Sequence, residues 1–152
     1  MSLDVLLVED SPGDVRLTRE AFREAYSSTH LADKSFQLHV ASDGIEAMCF
    51  LRQEGAWKEA PRPDLILLDL NLPRQDGRET LALIKQDPVL RMIPAVILTT
   101  SDAEADIVKS YELQASCYLC KPAQWDAFES LVKSINDFWM TRVRLPQRGQ
   151  GS

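Results

Sequence analysis

Long hydrophobic runs, cysteine density and positive charge are what this 152-residue chain has least of. No stretch approaches the roughly 20 apolar residues that span a bilayer, and no charged start leads into an apolar segment of the signal-peptide kind. A cytoplasmic location without membrane contact is the expectation. Three cysteines, Cys49, Cys117 and Cys120, are an odd set and far too sparse for a secreted disulfide scaffold. Seventeen Lys and Arg stand against 23 Asp and Glu, a net charge of -6, which disfavours nucleic acid. His30 and His39 have no triad or metal spacing. Neither a Gly-rich phosphate loop nor a dinucleotide fingerprint occurs, so nucleotide binding is disfavoured. A protein partner or a small ligand is left.

What the chain does have is a set of short, unbroken apolar runs, which read as buried parallel strands. Val5 to Val8 is the first, Phe36 to Val40 the second, Leu65 to Leu68 the third, Ala95 to Thr99 the fourth, and Tyr118-Leu119 the centre of the fifth. Between and after them lie helical patterns. The first opens at Pro12 with Val15, Thr18, Phe22 and Ala25 on one face, and the second carries Ile45, Met48, Cys49 and Leu51. A third runs from Gly77 to Lys85, and the fourth from Ala103 to Glu112 with Ser101 or Asp102 as cap. The last spans Ala123 to Thr141. Ser27 to Lys34 and Gly55 to Pro63 are loops. This fivefold alternation predicts an α/β fold: a doubly wound five-stranded parallel sheet with right-handed crossovers and five helices on its two faces.

Chemistry in such sheets gathers at the carboxyl ends of the strands. There the first strand delivers Glu9-Asp10 and the third delivers Asp69. Like charges buried together call for a cation, and a hard divalent ion such as Mg²⁺ suits these carboxylates with the Asn71 carbonyl and retained waters. Thr99-Thr100-Ser101 offers hydroxyls at the fourth strand end, and Lys121 offers an ammonium at the fifth. Together they could hold a phosphoryl group: Asp69 attacks phosphorus in line, Mg²⁺ and Lys121 offset charge, and Thr100 donates a hydrogen bond.

The segments Leu7-Val8-Glu9-Asp10-Ser11, Leu68 to Gly77, Leu98-Thr99-Thr100-Ser101 and Tyr118-Leu119-Cys120-Lys121-Pro122 resemble the receiver domain of two-component response regulators. That resemblance implies a flavodoxin-like receiver fold over residues 1–142 with a tail at 143–152. It also implies Asp69 as phosphoacceptor, Mg²⁺ on Glu9, Asp10, Asp69 and Asn71, and phosphoryl-binding roles for Thr100 and Lys121. Tyr118 takes the place of the aromatic that changes rotamer with Thr100, the Lys121-Pro122 bond is expected cis, and Gly77 falls where the family needs no side chain. A sensor histidine kinase is the implied phosphodonor and a downstream protein the target. The combination of the two loops, the stretch Ile93 to Ser101 and the ending Phe138-Trp139, then Leu145-Pro146, is similar to stand-alone regulators that partner bacterial phytochrome kinases.

Cys117 and Cys120 have redox-motif spacing, but residues three apart on a strand face opposite ways, so core packing is expected of them. In the last helix, Trp125, Phe128, Ile135 and Trp139 are expected to face the sheet. Leu131, Val132 and Phe138 widen the stripe, which suggests a homodimer through the fourth helix, fifth strand and last helix. The alternative function is an aspartyl-nucleophile phosphatase of the haloacid-dehalogenase type. Those enzymes place a second acid two residues after the nucleophile, where this chain has Asn71.

Overall fold

The computed structural model describes residues 2–27, 35–139 and 143–145. The expected loop after Ser27, with His30, and the expected tail apart from 143–145 lie outside the described residues. Five strands, β1 (Ser2–Val8), β2 (Ser35–Ala41), β3 (Leu65–Leu68), β4 (Ala95–Thr99) and β5 (Cys117–Cys120), alternate with five helices. The helices are α1 (Pro12–Ser27), α2 (Gly44–Leu51), α3 (Gly77–Gln86), α4 (Glu104–Glu112) and α5 (Trp125–Asp137). All strand pairs are parallel, in the order β2-β1-β3-β4-β5. β1 begins earlier than its apolar run because its backbone pairs with β2 from Ser2 opposite Ser35 onward.

Strand alternation sorts the core into two layers. Val5, Leu7, Leu65, Leu67, Val96 and Leu98 pack on α1 and α5. Leu6, Val8, Ile66, Leu68, Ala95 and Ile97 pack with residues of α2 and α3. The same parity puts Cys117 and Leu119 against the first layer and Tyr118 against the second. Cys120, at the end of β5, is exposed, against the core packing expected of it, so of the two cysteines Cys117 alone packs on the core.

The last two helices are anchored differently. α5 buries Phe128, Val132 and Ile135, each side chain worth roughly 1.5–3 kcal/mol on burial. In α4 the only buried residue is Ser110. The wide stripe expected of the last helix is thus mostly core: Val132 is fully buried, and Leu131 and Trp139 pack against the first layer. Trp125 departs from expectation, because it opens the helix at its outer edge and stays 37% exposed, as Phe138 does at 52%. Neither Ser101 nor Asp102 caps α4; Ala103 holds the cap position without a side-chain bond.

Asp43 fastens the loop after β3. Its carboxylate accepts from the Glu46 N–H at 2.8 Å, capping α2, and from Arg74 Nε at 2.7 Å. Burial disfavours the charged form, but the Glu46 N–H and Arg74 outweigh it and hold the carboxyl below its ordinary value. A depressed acid contributes stability above its unfolded pKa of about 4 and loses it as pH falls through the folded value. Asp43→Ala is therefore expected to cost about 1–2 kcal/mol near neutrality. In urea titrations across pH, that difference should vanish in acid; a difference that persists there would remove the charge-based account.

Candidate functional site

Four strand ends converge on one mouth because the chain order brings β1 and β3 together at the centre of the sheet, with β4 and β5 beside them. Backbone bonds carry the register past the strands: Asp69 N–H donates to the Val8 carbonyl at 3.1 Å, and Lys121 N–H to the Thr99 carbonyl at 2.7 Å. Carboxylate oxygens of Glu9, Asp10 and Asp69 lie within 4.8 Å of one another. α3 packs closely behind Asp69, and a Cβ on Gly77 would come 2.2 Å from the Asp69 carbonyl oxygen. That contact explains why this position carries no side chain.

Asp69 is 8% exposed and held at both oxygens. Oδ1 accepts from the Thr99 hydroxyl at 2.7 Å and from the Asn71 N–H at 3.2 Å, while Lys121 Nζ reaches Oδ2 at 3.5 Å. The lysine is shared, with Glu9 Oε2 at 2.6 Å and Asp14 Oδ2 at 3.0 Å. One cation among three carboxylates leaves the cluster short of positive charge. Burial, only partly offset by Lys121, and the adjacent Asp69 push Glu9 up to about 7. Burial also opposes the Asp69 carboxylate, but bonds from Glu9 and Thr99 and the Lys121 charge hold it below the usual range. Burial lowers Lys121, and Glu9, Asp69 and Asp14 together more than restore it, leaving the ammonium firmly charged. A group of three acids with a surplus of negative charge fits a hard divalent cation, and Mg²⁺ is the one whose chemistry it suits.

The structure corrects one assignment. The hydroxyl that meets Asp69 belongs to Thr99, and Thr100 is exposed. Thr99 closes β4 with the parity of Ile97, whereas Thr100 lies one residue on. It lines a cleft of about 260 Å³ with Asp14, Lys121 and Trp125 on the α1 and α5 side. Asp14, which shares Lys121, was not singled out in the sequence. Its place in the first turn of α1, just beyond the acidic pair, was the available signal. Tyr118 donates its hydroxyl to the Ser101 carbonyl at 2.9 Å. The Lys121–Pro122 bond is trans, as is every peptide bond among the described residues, against the cis form expected.

The response regulator receiver domain family matches residues 5–135. Response regulator Rcp1 of Synechocystis sp. is 48% identical over 142 residues, which cover 93% of this chain and 92% of Rcp1. The crystal structure of the phosphorylated cyanobacterial phytochrome response regulator RcpA superposes with a TM-score of 0.87 at 45% identity, covering 97% of this chain and 100% of RcpA. The Mn²⁺-bound form of Rcp1 gives 0.85 at 46% identity, with 95% and 99% covered.

Proposed function

Because the chain belongs to the response regulator receiver domain family, we propose that it takes a phosphoryl group onto Asp69 from a sensor histidine kinase and signals through altered protein contacts. The observation that carries this reading is the Asp69 carboxylate, buried yet kept ionised between Thr99 and Lys121. A carboxylate oxygen of Asp69 forms the new bond to phosphorus as the bond to the donor nitrogen breaks, and the leaving imidazole keeps the electron pair. Lys121 offsets charge on the transferring oxygens, and the Thr99 hydroxyl turns from the carboxylate to one of them. Glu9, Asp10, Asp69 and the Asn71 carbonyl would hold Mg²⁺, which would supply further charge neutralisation there. Incubation with a small acyl phosphate and Mg²⁺, read by intact mass, tests the reading; a wild type that gains no phosphoryl group overturns it.

Thr99→Ala and Thr100→Ala separate the two hydroxyls. Loss of a hydrogen bond to a charged group, about 1.5–3 kcal/mol, slows phosphorylation of Thr99→Ala by about ten- to a hundredfold. Thr100→Ala stays within about twofold, the ordinary range for an exposed substitution. Rates measured by mass against time decide this, and the reverse order would return the role to Thr100.

The kinase partner is of the phytochrome type in this reading, supported by the similarity to RcpA and Rcp1; phosphotransfer profiling against purified kinases tests it. Val108 and Tyr111, each about half exposed on α4, support a homodimer through α4, β5 and α5, which a concentration series in light scattering checks. The protein acts in the cytoplasm on this view, and no helix among the described residues is long and apolar enough to cross a membrane. It is a switch, not a turnover enzyme. Asn71 stands where a haloacid-dehalogenase-type phosphatase has its second acid, so multiple turnover on phosphate monoesters is not expected.

A further inference from the structure

Helix α4 is docked chiefly by polar contacts. Its one buried residue is Ser110, whose hydroxyl has no hydrogen-bond partner among the described residues. The first turn, by contrast, is gripped. Arg78 of α3 donates to Asp106 Oδ1 through Nε at 3.0 Å and Nη2 at 2.5 Å, and the Ser101 hydroxyl donates to Oδ2 at 2.6 Å. Arg78 also bonds Asp76 at 3.2 Å and reaches the Leu70 carbonyl at 3.5 Å, so the same guanidinium is fastened to the chain leaving Asp69. At the other end, the Ser101 carbonyl accepts from Tyr118. One continuous set of contacts thus joins the segment behind the acidic cluster to the start of α4 and to β5.

We propose that Arg78 and Asp106 form a latch that holds α4 and the Thr99–Ser101 segment in the resting arrangement, opposing the change that phosphorylation drives. The proposal rests on Asp69 as phosphoacceptor. In the resting chain, Thr99 is spent on Asp69 Oδ1. A phosphoryl group on that carboxylate puts new acceptors farther out, and Thr99 must move to meet them. Two residues on, Ser101 is tied through Asp106 to Arg78, so the movement loads the latch directly. Little apolar burial keeps α4 in place once the latch opens. An interaction made in only one of two states biases the equilibrium by its full difference, and the coupling is reciprocal: a weaker latch means tighter phosphoryl binding at Asp69. Arg78 and Asp106 are positioning residues here, since neither touches the reacting atoms.

Asp106→Asn, Arg78→Gln and the double variant test this in the full chain. Two measurements are needed: amide hydrogen exchange over 104–112 without any ligand, and titration with beryllofluoride and Mg²⁺. Each single variant is expected to exchange faster in α4 and to bind beryllofluoride about fivefold or more tightly. The double variant should bind no more tightly than the singles, because the pair acts as one unit. Unchanged α4 exchange, weaker binding, or additive gains would overturn the latch. Mere structural damage loosens α4 without tightening the analogue. Asp106→Asn leaves the Arg78 contacts to Asp76 and Leu70 intact, so it remains decisive if Arg78→Gln fails to fold. A wild type that ignores beryllofluoride would overturn the phosphoacceptor reading and the latch with it, whereas unchanged α4 exchange or weaker binding in the variants of a responsive protein overturns the latch alone.

Discussion

Asp69→Asn is expected to abolish phosphoryl acceptance. Treated with an acyl phosphate and Mg²⁺, the wild type gains one phosphoryl group by intact mass and the variant gains none. An amide oxygen is not a nucleophile toward phosphorus under these conditions, whereas the carboxylate is poised as one: the Glu9 and Thr99 bonds and the Lys121 charge keep it ionised despite burial. The substitution leaves the surroundings able to fold. The side-chain carbonyl of Asn still accepts the bonds that Thr99 and the Asn71 N–H give to Oδ1, so circular dichroism and the cooperativity of urea unfolding should match the wild type. An equal adduct on the variant would move the phosphoacceptor elsewhere, with Asp10 the first residue to examine.

Lys121→Met should have the second-largest effect, and on two quantities at once. Lys121 bridges Glu9, Asp14 and Asp69 with a side chain only 8% exposed, and Glu9 beside it is 3% exposed. Removing one partner of a buried ion pair strands the other and costs about 3–5 kcal/mol. Unfolding without divalent ions should register a loss of that order. Added Mg²⁺ should return more stability to the variant than to the wild type, because the cation then supplies the charge that the lysine no longer does. Phosphorylation nonetheless stays slow, by about 10²–10³, as it does when a preorganised donor is lost from a site of developing charge. Normal rates in the variant would show that Lys121 serves only the fold.

Much of the fold was legible along the chain. Leu65 to Leu68 and Ala95 to Thr99 are too short and too uniformly apolar to be anything but buried strands, and the intervening helical patterns forced a parallel sheet. The acids at the ends of the first and third runs, and Lys121 at the end of the fifth, were visible as the groups that such a sheet collects at one edge. Helix ends were less so: α5 begins at Trp125, not at Ala123, and runs to Asp137, while the expected end at Thr141 lies outside the described residues. Its stripe looked wide enough for a second surface, but Val132 is wholly core and Trp125 sits at the rim.

Residue types and their order along the chain were enough to determine the architecture and to bring the acids and the lysine to one edge of the sheet. A strand end is a local event, and a charge that follows an apolar run has nowhere else to go. The tertiary structure alone decided which of two adjacent threonines meets Asp69, that Asp14 shares Lys121, and that Arg78 ties α3 to α4. Each depends on distances between segments remote in sequence, or on where a strand stops. One residue of strand parity turns a hydroxyl from one face of the sheet to the other, and no local pattern in Thr99-Thr100-Ser101 records which way it falls.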